Sequence, residues 1–226
     1  EAIAAAKEAT DEGKEVTINF PEGRYDIYPD KAVERELYIS NTVGADQNYK
    51  MKKIGIFLED MDHVTVDGNN SLFMFHGKMT TFATIGCEDV EFKNFAVDFQ
   101  VPTVIDMTVE SVEGNTATMY IPECYNYEVA GTTIKWYSGV SPYTGQRYWS
   151  ISDLSGYHTQ REDTVQGIKF GAGNGNAALK GVASIEDLGN HRVKITYNSK
   201  AGEVQNGMCF QSRPTVRDHA GTFFWK

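Results

Sequence analysis

Apolar and polar residues alternate in short runs along most of the chain, and a period of two predicts strands. Residues 16–20 (VTINF) alternate, Pro21-Glu22-Gly23-Arg24 supplies turn residues, and 25–28 (YDIY) alternate again. One stretch has a helical pattern instead. Over residues 1–13, Ala2, Ile3, Ala5, Ala6 and Ala9 form an apolar stripe, and Gly13 stands where a left-handed residue ends a helix.

A near-repeat occupies residues 51–100. IFLEDMDHV (56–64) is followed 26 residues on by FATIGCEDV (82–90), and VTVDGN from Val64 by VEFKNF from Val90. Each unit holds short strands split by turn residues, and a further apolar run follows each: 72–75, then 95–99. Periods of 20 to 50 residues signal an array of stacked units. Strand-only units favour a parallel β-helix over a leucine-rich repeat. Asn69 and Asn94 fall at the predicted corners, where asparagine tolerates left-handed backbone. The opening helix then has a physical task, to cover the end of the solenoid.

From residue 101 the repeat breaks and antiparallel strands are expected. Residues 103–112 alternate, Glu113-Gly114-Asn115 turns, and 116–121 return. Residues 132–137 and 147–151 are further strands, 182–187 and 192–197 form a hairpin about Leu188-Gly189-Asn190, and 207–211 close the set. Thr222-Phe223-Phe224-Trp225 then begins like Thr81-Phe82-Ala83-Thr84, as a return to the repeat. The predicted organisation is a cap and first rungs over 1–100, an inserted antiparallel β domain over 101–212, and a return over 213–226. The fold class is all-β: a right-handed parallel β-helix with an N-terminal capping helix and an inserted antiparallel barrel or sandwich. A rung that ends at Trp225 leaves an open edge, which further sequence or a homodimer would cover.

Composition narrows the partners. The 226 residues carry 21 Lys and Arg against 31 Asp and Glu, a net charge of −10. With no basic cluster, nucleic acid and anionic membrane are disfavoured, whereas a neutral glycan meets no electrostatic penalty. No apolar run approaches the ~20 residues of a membrane helix. Cys87, Cys124 and Cys209 are too far apart for a zinc ribbon and too few for a disulfide scaffold, so buried thiols are expected.

Most candidate chemistry reduces to ordinary structure. Gly171-Ala172-Gly173-Asn174-Gly175 has Asn176 where a dinucleotide fingerprint needs its third glycine, and it reads as a loop. Glu59, Asp60, Asp62, Glu88 and Asp89 lack calcium-loop spacing and read as solvated turn carboxylates. The five histidines show no metal-binding spacing; His63 reads as a turn residue. Trp136, Tyr137, Tyr143, Tyr148, Trp149 and Tyr157 could stack on sugars or fill a β core, with Tyr143 and Tyr148, about the Gly145 turn, the better exposed candidates. Arg213, Arg217, Asp218 and His219 form a dense polar run where the insertion rejoins. They either line a binding cleft or pair with one another as a linker.

Several stretches carry a family resemblance: Glu36-Leu37-Tyr38-Ile39-Ser40-Asn41-Thr42, residues 53–68, residues 71–79 (SLFMFHGKM), Val97-Asp98-Phe99, Arg217-Asp218-His219 and Gly221-Thr222-Phe223-Phe224-Trp225-Lys226. In order, they resemble the start of the catalytic domain of family-110 glycoside hydrolases, bacterial exo-acting α-1,3-galactosidases that include enzymes cleaving blood-group B type termini. The resemblance implies a pectate-lyase-like right-handed β-helix with an inserted β domain. It also implies an inverting mechanism, no cofactor or metal, a glycan substrate ending in galactose, and a secreted or periplasmic location. It puts the catalytic aspartates on later rungs, so no general acid or base is assigned here. Arg213, Arg217, Asp218 and His219 are the expected substrate-binding residues, through hydrogen bonds to galactose hydroxyls. The alternatives are another β-helix polysaccharide hydrolase or lyase, and a non-catalytic glycan-binding or structural β-helix.

Overall fold

The computed structural model describes the backbone of residues 1–37, 50–151, 154–160, 169–171, 181–199, 204–214 and 223–225, and the side chains within 1–37, 50–150, 181–199 and 204–210. The chain divides into two compact units. One comprises Glu1–Gln100, Ser141–Gly145 and Asp218–Lys226, and the other Val101–Val140 and Gln146–Arg217. Apart from one α-helix and one short 3-10 turn, the described elements are strands, so the all-β expectation holds.

The first unit contains α1 (Ala2–Asp11), β1 (Val16–Asn19), β2 (Arg24–Ile27), a 3-10 turn (Pro29–Lys31), β3 (Val33–Glu36), β4 (Met51–Glu59), β5 (Val64–Phe75), β6 (Thr80–Ile85) and β7 (Val90–Phe99). A last strand, β18 (Phe223–Trp225), also belongs to it. From β4 to β7 successive strands alternate between two sheets, whereas β1 and β2 share one and β3 and β4 the other. In one, β5 takes β1, β2 and β7 as parallel neighbours; in the other, β6 takes β4 and β18 in parallel, and β3 adds antiparallel to β4.

The 26-residue spacing is a pairing register. Ile56 lies beside Phe82, and Val64 beside Val90. The corners keep the same step: Asp60 and Gly86 are both left-handed, as are His63 and Asp89. Further along β5 the register shifts, because Gly68, Asn69 and Asn70 face a gap that Asn94 alone spans on β7. Ser71 then pairs with Phe95 and Phe75 with Phe99, a spacing of 24. Asn69, Asn70 and Asn94 all have positive φ, as expected of asparagine at corners. Phe223 pairs with Phe82, Phe224 with Ala83 and Trp225 with Thr84, the alignment that the sequence likeness predicts.

Aromatic rings fill the space between these strands. Phe73 sits edge-on to Phe20 at 4.9 Å and tilted to Phe95 at 5.2 Å, and Phe82 lies 5.2 Å from both Phe92 and Phe95. Such offset and edge contacts suit the ring quadrupole better than face-to-face stacking. The helix buries Ala6 against Ile18, Leu58, Met61, Val64 and Val66.

The second unit is antiparallel throughout its named pairings. Its strands are β8 (Ile105–Glu113), β9 (Thr116–Tyr120), β10 (Asn126–Ala130), β11 (Thr133–Tyr137), β12 (Ser150–Ile151), β13 (Leu154–Gln160), β14 (Lys169–Gly171), β15 (Val182–Gly189), β16 (Arg192–Tyr197) and β17 (Cys209–Pro214). Seven of them run in the order β14-β13-β17-β8-β9-β16-β15, and β10-β11-β12 make a second sheet. The predicted hairpins at 103–121 and 182–197 are β8–β9 and β15–β16. Barrel closure is not observed: among the described residues the end strands β14 and β15 pair with one neighbour each.

Trp136 is fully buried and Trp149 nearly so, packed with Ile134, Met107, Met119 and Tyr125. Both tryptophans are core residues. Tyr148 also packs partly against that core, contrary to its expected exposure, because the buried Ser138 hydroxyl accepts the backbone N–H groups of Tyr148 and Trp149 at 2.7 and 3.1 Å. The expectation of buried thiols fails at Cys124, which is exposed in the turn before β10; Cys87 and Cys209 are half-buried.

Candidate functional site

The pairing register places one set of polar residues in a row. Ile27, Phe75 and Phe99 are aligned neighbours on β2, β5 and β7, so Tyr28, His76 and Gln100 follow them side by side. The ladder runs on through this row: His76 N–H donates to Ile27 C=O at 3.0 Å, and Gln100 N–H to Phe75 C=O at 2.9 Å.

Asp26 is the centre of the row's hydrogen bonds. Arg24 donates to it bidentately, Nε to Oδ2 at 3.0 Å and Nη2 to Oδ1 at 2.7 Å, and reaches Gln100 Oε1 at 2.9 Å. His76 Nε2 lies 2.7 Å from Asp26 Oδ1. The bond from Arg24, then that from His76, holds the Asp26 carboxyl below the usual carboxylate range, against the opposing effect of partial burial. Asp26 is therefore a carboxylate at neutral pH, with acceptor oxygens and no proton to give.

Aromatic rings border this carboxylate. Tyr28 stacks on the His76 ring at 4.2 Å, and Tyr143 stands edge-on to Tyr28 at 5.8 Å. Lys31 Nζ lies 5.0 Å from the Tyr143 centroid. Tyr143 is held there by Ser141, whose hydroxyl donates to Asp30 Oδ1 at 2.8 Å and accepts the N–H groups of Tyr143 and Thr144, each at 3.1 Å. This is how residues 141–145 belong to the first unit although they lie within the predicted insertion. Tyr143 keeps the exposure expected of it, at 56%.

The arrangement offers an ionised carboxylate, a guanidinium fork, an imidazole and two tyrosines along one edge. These groups can hydrogen-bond to a neutral sugar and stack on its ring. Asp98 shares a column with Asp26, separated by Met74. Their Cα atoms are two strand spacings apart, roughly 9.6 Å. A general acid must hold a proton at working pH, so Asp26 is excluded from that one role. Asp98 turns one oxygen back to accept the N–H of Phe99 at 2.7 Å.

Of the predicted binding residues, Arg213 lies on β17, where its backbone pairs with Ser155. Its side chain, and Arg217, Asp218 and His219, lie outside the described residues. Tyr157 lies on β13, where its backbone pairs with Gln211 and its side chain is outside the described residues, as is the glycine run after Gly171. The sequence reading passed over Arg24, Asp26, Tyr28 and His76. Their alignment needs a step of 48 between β2 and β5, which the 26-residue period does not reveal. Among the described residues no cluster of His, Cys, Asp and Glu could hold a metal ion, and no helix is long and apolar enough to cross a membrane.

No family model matches the chain. Individual proteins do. The chain is 41% identical over 230 residues to alpha-1,3-galactosidase A of Streptomyces avermitilis, an alignment covering 100% of the chain and 36% of that protein. It is 37% identical over 232 residues to alpha-1,3-galactosidase A of Peterkaempfera griseoplana, covering 99% and 31%. It is also 37% identical over 134 residues to alpha-1,3-galactosidase B of Phocaeicola vulgatus, covering 59% and 22%. The chain spans about a third of the length of the two relatives that match all of it. The resemblance read from the sequence thus holds: over its whole length this chain resembles a part of the α-1,3-galactosidases.

Proposed function

We propose that the chain is part of a glycoside hydrolase, an inverting exo-acting α-1,3-galactosidase that removes terminal galactose from glycans. The observation that carries this reading is the end-to-end match to two proteins named alpha-1,3-galactosidase A, at 41% and 37% identity. Insertion and repeat are aligned together, which a shared repeat pattern alone would not produce.

The reading includes the finer architecture. The first unit is part of a right-handed parallel β-helix, with α1 as its end cap, residues 101–212 as an insertion and 213–226 as the return. The parallel pairing of β4 with β6 in one sheet and of β5 with β7 in the other, at a 26-residue step up to the corner at Gly68, supports it. The acid and base lie on rungs other than these, and the ionised state of Asp26 excludes it as the acid. Arg213, Arg217, Asp218 and His219 remain the proposed galactose-binding residues, and the rings of Tyr28, His76 and Tyr143 offer a wall for a neutral sugar. A glycan substrate makes a secreted or periplasmic location the natural one, and the net charge of −10 suits an uncharged substrate.

The test is hydrolysis of a terminal α-1,3-linked galactose disaccharide by a protein that carries this chain at the full length of its relatives. The anomer of the released galactose is followed by NMR. β-Galactose as the first product is expected; α-galactose would overturn inversion, and no release would overturn the substrate.

A further inference from the structure

The second unit contains an open cavity of about 360 Å³, between the start of the β10–β11 hairpin and the tip of the β15–β16 hairpin. That volume suits one small ring. Tyr127 and Tyr137, on opposite faces of the β10–β11 hairpin, both border it, and Asp187, Asn190 and His191 form its polar wall. Asp187 Oδ1 accepts the Gly189 N–H at 2.9 Å and the Tyr127 hydroxyl at 3.4 Å, and no partner for Oδ2 is seen among the described residues.

The hairpin tip carries two further anomalies. Gly189 pairs with Arg192, so Asn190 and His191 are the central residues of a two-residue turn, both with positive φ. Such turns favour Asn-Gly, because a side chain at the second position crowds the left-handed backbone. Histidine here is a strained choice where glycine would be relaxed. Its ring sits edge-on to Tyr127 at 5.9 Å, and its Nδ1 is buried without a hydrogen-bond partner. A strained residue with an unsatisfied ring nitrogen beside an open cavity is better explained by a ligand than by folding.

Charge selects the ligand. The Asp187 carboxylate disfavours an anion. The Arg147 guanidinium lies 3.8 Å from the Tyr137 centroid, so one aromatic face is already occupied by a cation, which disfavours a second. What remains is a neutral ring with apolar faces and hydroxyl groups.

We propose that this cavity binds a single neutral sugar residue of a glycan, with Tyr127 against the ring and Asp187, Asn190 and His191 on its hydroxyls. The choice of galactose as first probe rests on the proposed function; the pocket chemistry asks only for a neutral hydroxylated ring.

The experiment is an NMR titration of the 226-residue chain with methyl α-galactoside and, separately, methyl α-glucoside. Shifts at the amides of Tyr127, Gly189, Asn190 and His191 are expected, with a dissociation constant on the order of 1 mM. His191→Gly relaxes the turn and so folds; together with Asp187→Asn it should weaken binding about tenfold. Shifts with neither sugar, or binding unchanged in both variants, overturns the proposal. Shifts with glucoside and none with galactoside sustain the pocket while counting against galactose as the recognised sugar. Hydrolysis by the longer protein without shifts here defeats the pocket and leaves the proposed function standing.

Discussion

Gly68 packs so closely on Phe95 that a Cβ built on it would lie 2.6 Å from Phe95 Cβ and 2.8 Å from the Asn94 carbonyl oxygen. This is the corner where the residue step falls from 26 to 24, and β5 and β7 can stay paired across it because one of them carries no side chain there. Gly68→Ala must push two strands apart and is expected to cost about 2 kcal/mol or more. Gly23→Ala, with no atom nearer than 4.0 Å and no positive φ, should be within about 0.5 kcal/mol of neutral. Thermal unfolding of the two variants checks this; equal effects would refute the close corner.

Asp26 makes stability depend on acid. Its carboxyl is held below the ordinary value by Arg24 and then His76. A depressed folded value means that its contribution is fully present above the unfolded pKa of about 3.9 and is lost as pH falls through the folded value. Asp26→Asn should lower stability near neutrality by about 1 kcal/mol, a figure discounted for solvent screening, and flatten the acid limb below about pH 4. Denaturant unfolding from pH 2 to 7 measures it, and parallel curves for the two proteins would count against it.

Ser141 anchors residues 141–145 through one donated and two accepted hydrogen bonds while almost fully buried. Ser141→Ala leaves the Tyr143 and Thr144 amides and Asp30 without this partner and should cost about 1 to 2 kcal/mol. Cleavage near Tyr143 by chymotrypsin should accelerate in the variant. Unchanged cleavage would mean that the segment is held by its ring contacts instead.

His63 and Asp89 lie one 26-residue step apart, with Nδ1 2.8 Å from Oδ2. The bond to Asp89 raises the His63 pKa above its ordinary value. A raised folded value places its contribution below the unfolded pKa of about 6.5, to be lost as pH rises through the folded value. NMR titration should show the His63 midpoint moving down in Asp89→Asn, and an unmoved midpoint would exclude the pair.

Much of this fold is legible in the sequence because the stack repeats its register. Val64 with Val90, Ile56 with Phe82 and Phe223 with Phe82 follow from aligning the apolar runs, and the left-handed asparagines mark the corners. The antiparallel β3–β4 pair is not legible. Val33–Glu36 is exposed throughout and shows no period, and opposite charges such as Glu34 and Lys53 lie across it instead. The row at Tyr28, His76 and Gln100 is hidden by the change of step at Gly68. The cavity beside His191 joins two hairpins about 60 residues apart, and only the fold brings them together.

The central claim is that this chain forms part of an α-1,3-galactosidase. Release of galactose from galactosyl-α-1,3-galactose, by a protein extending this chain to the length of its relatives, tests it most directly. Release from the α-1,3 linkage in preference to α-1,4 and α-1,6 isomers is the predicted result. A folded protein of that length with no activity on any terminal α-galactoside would contradict it.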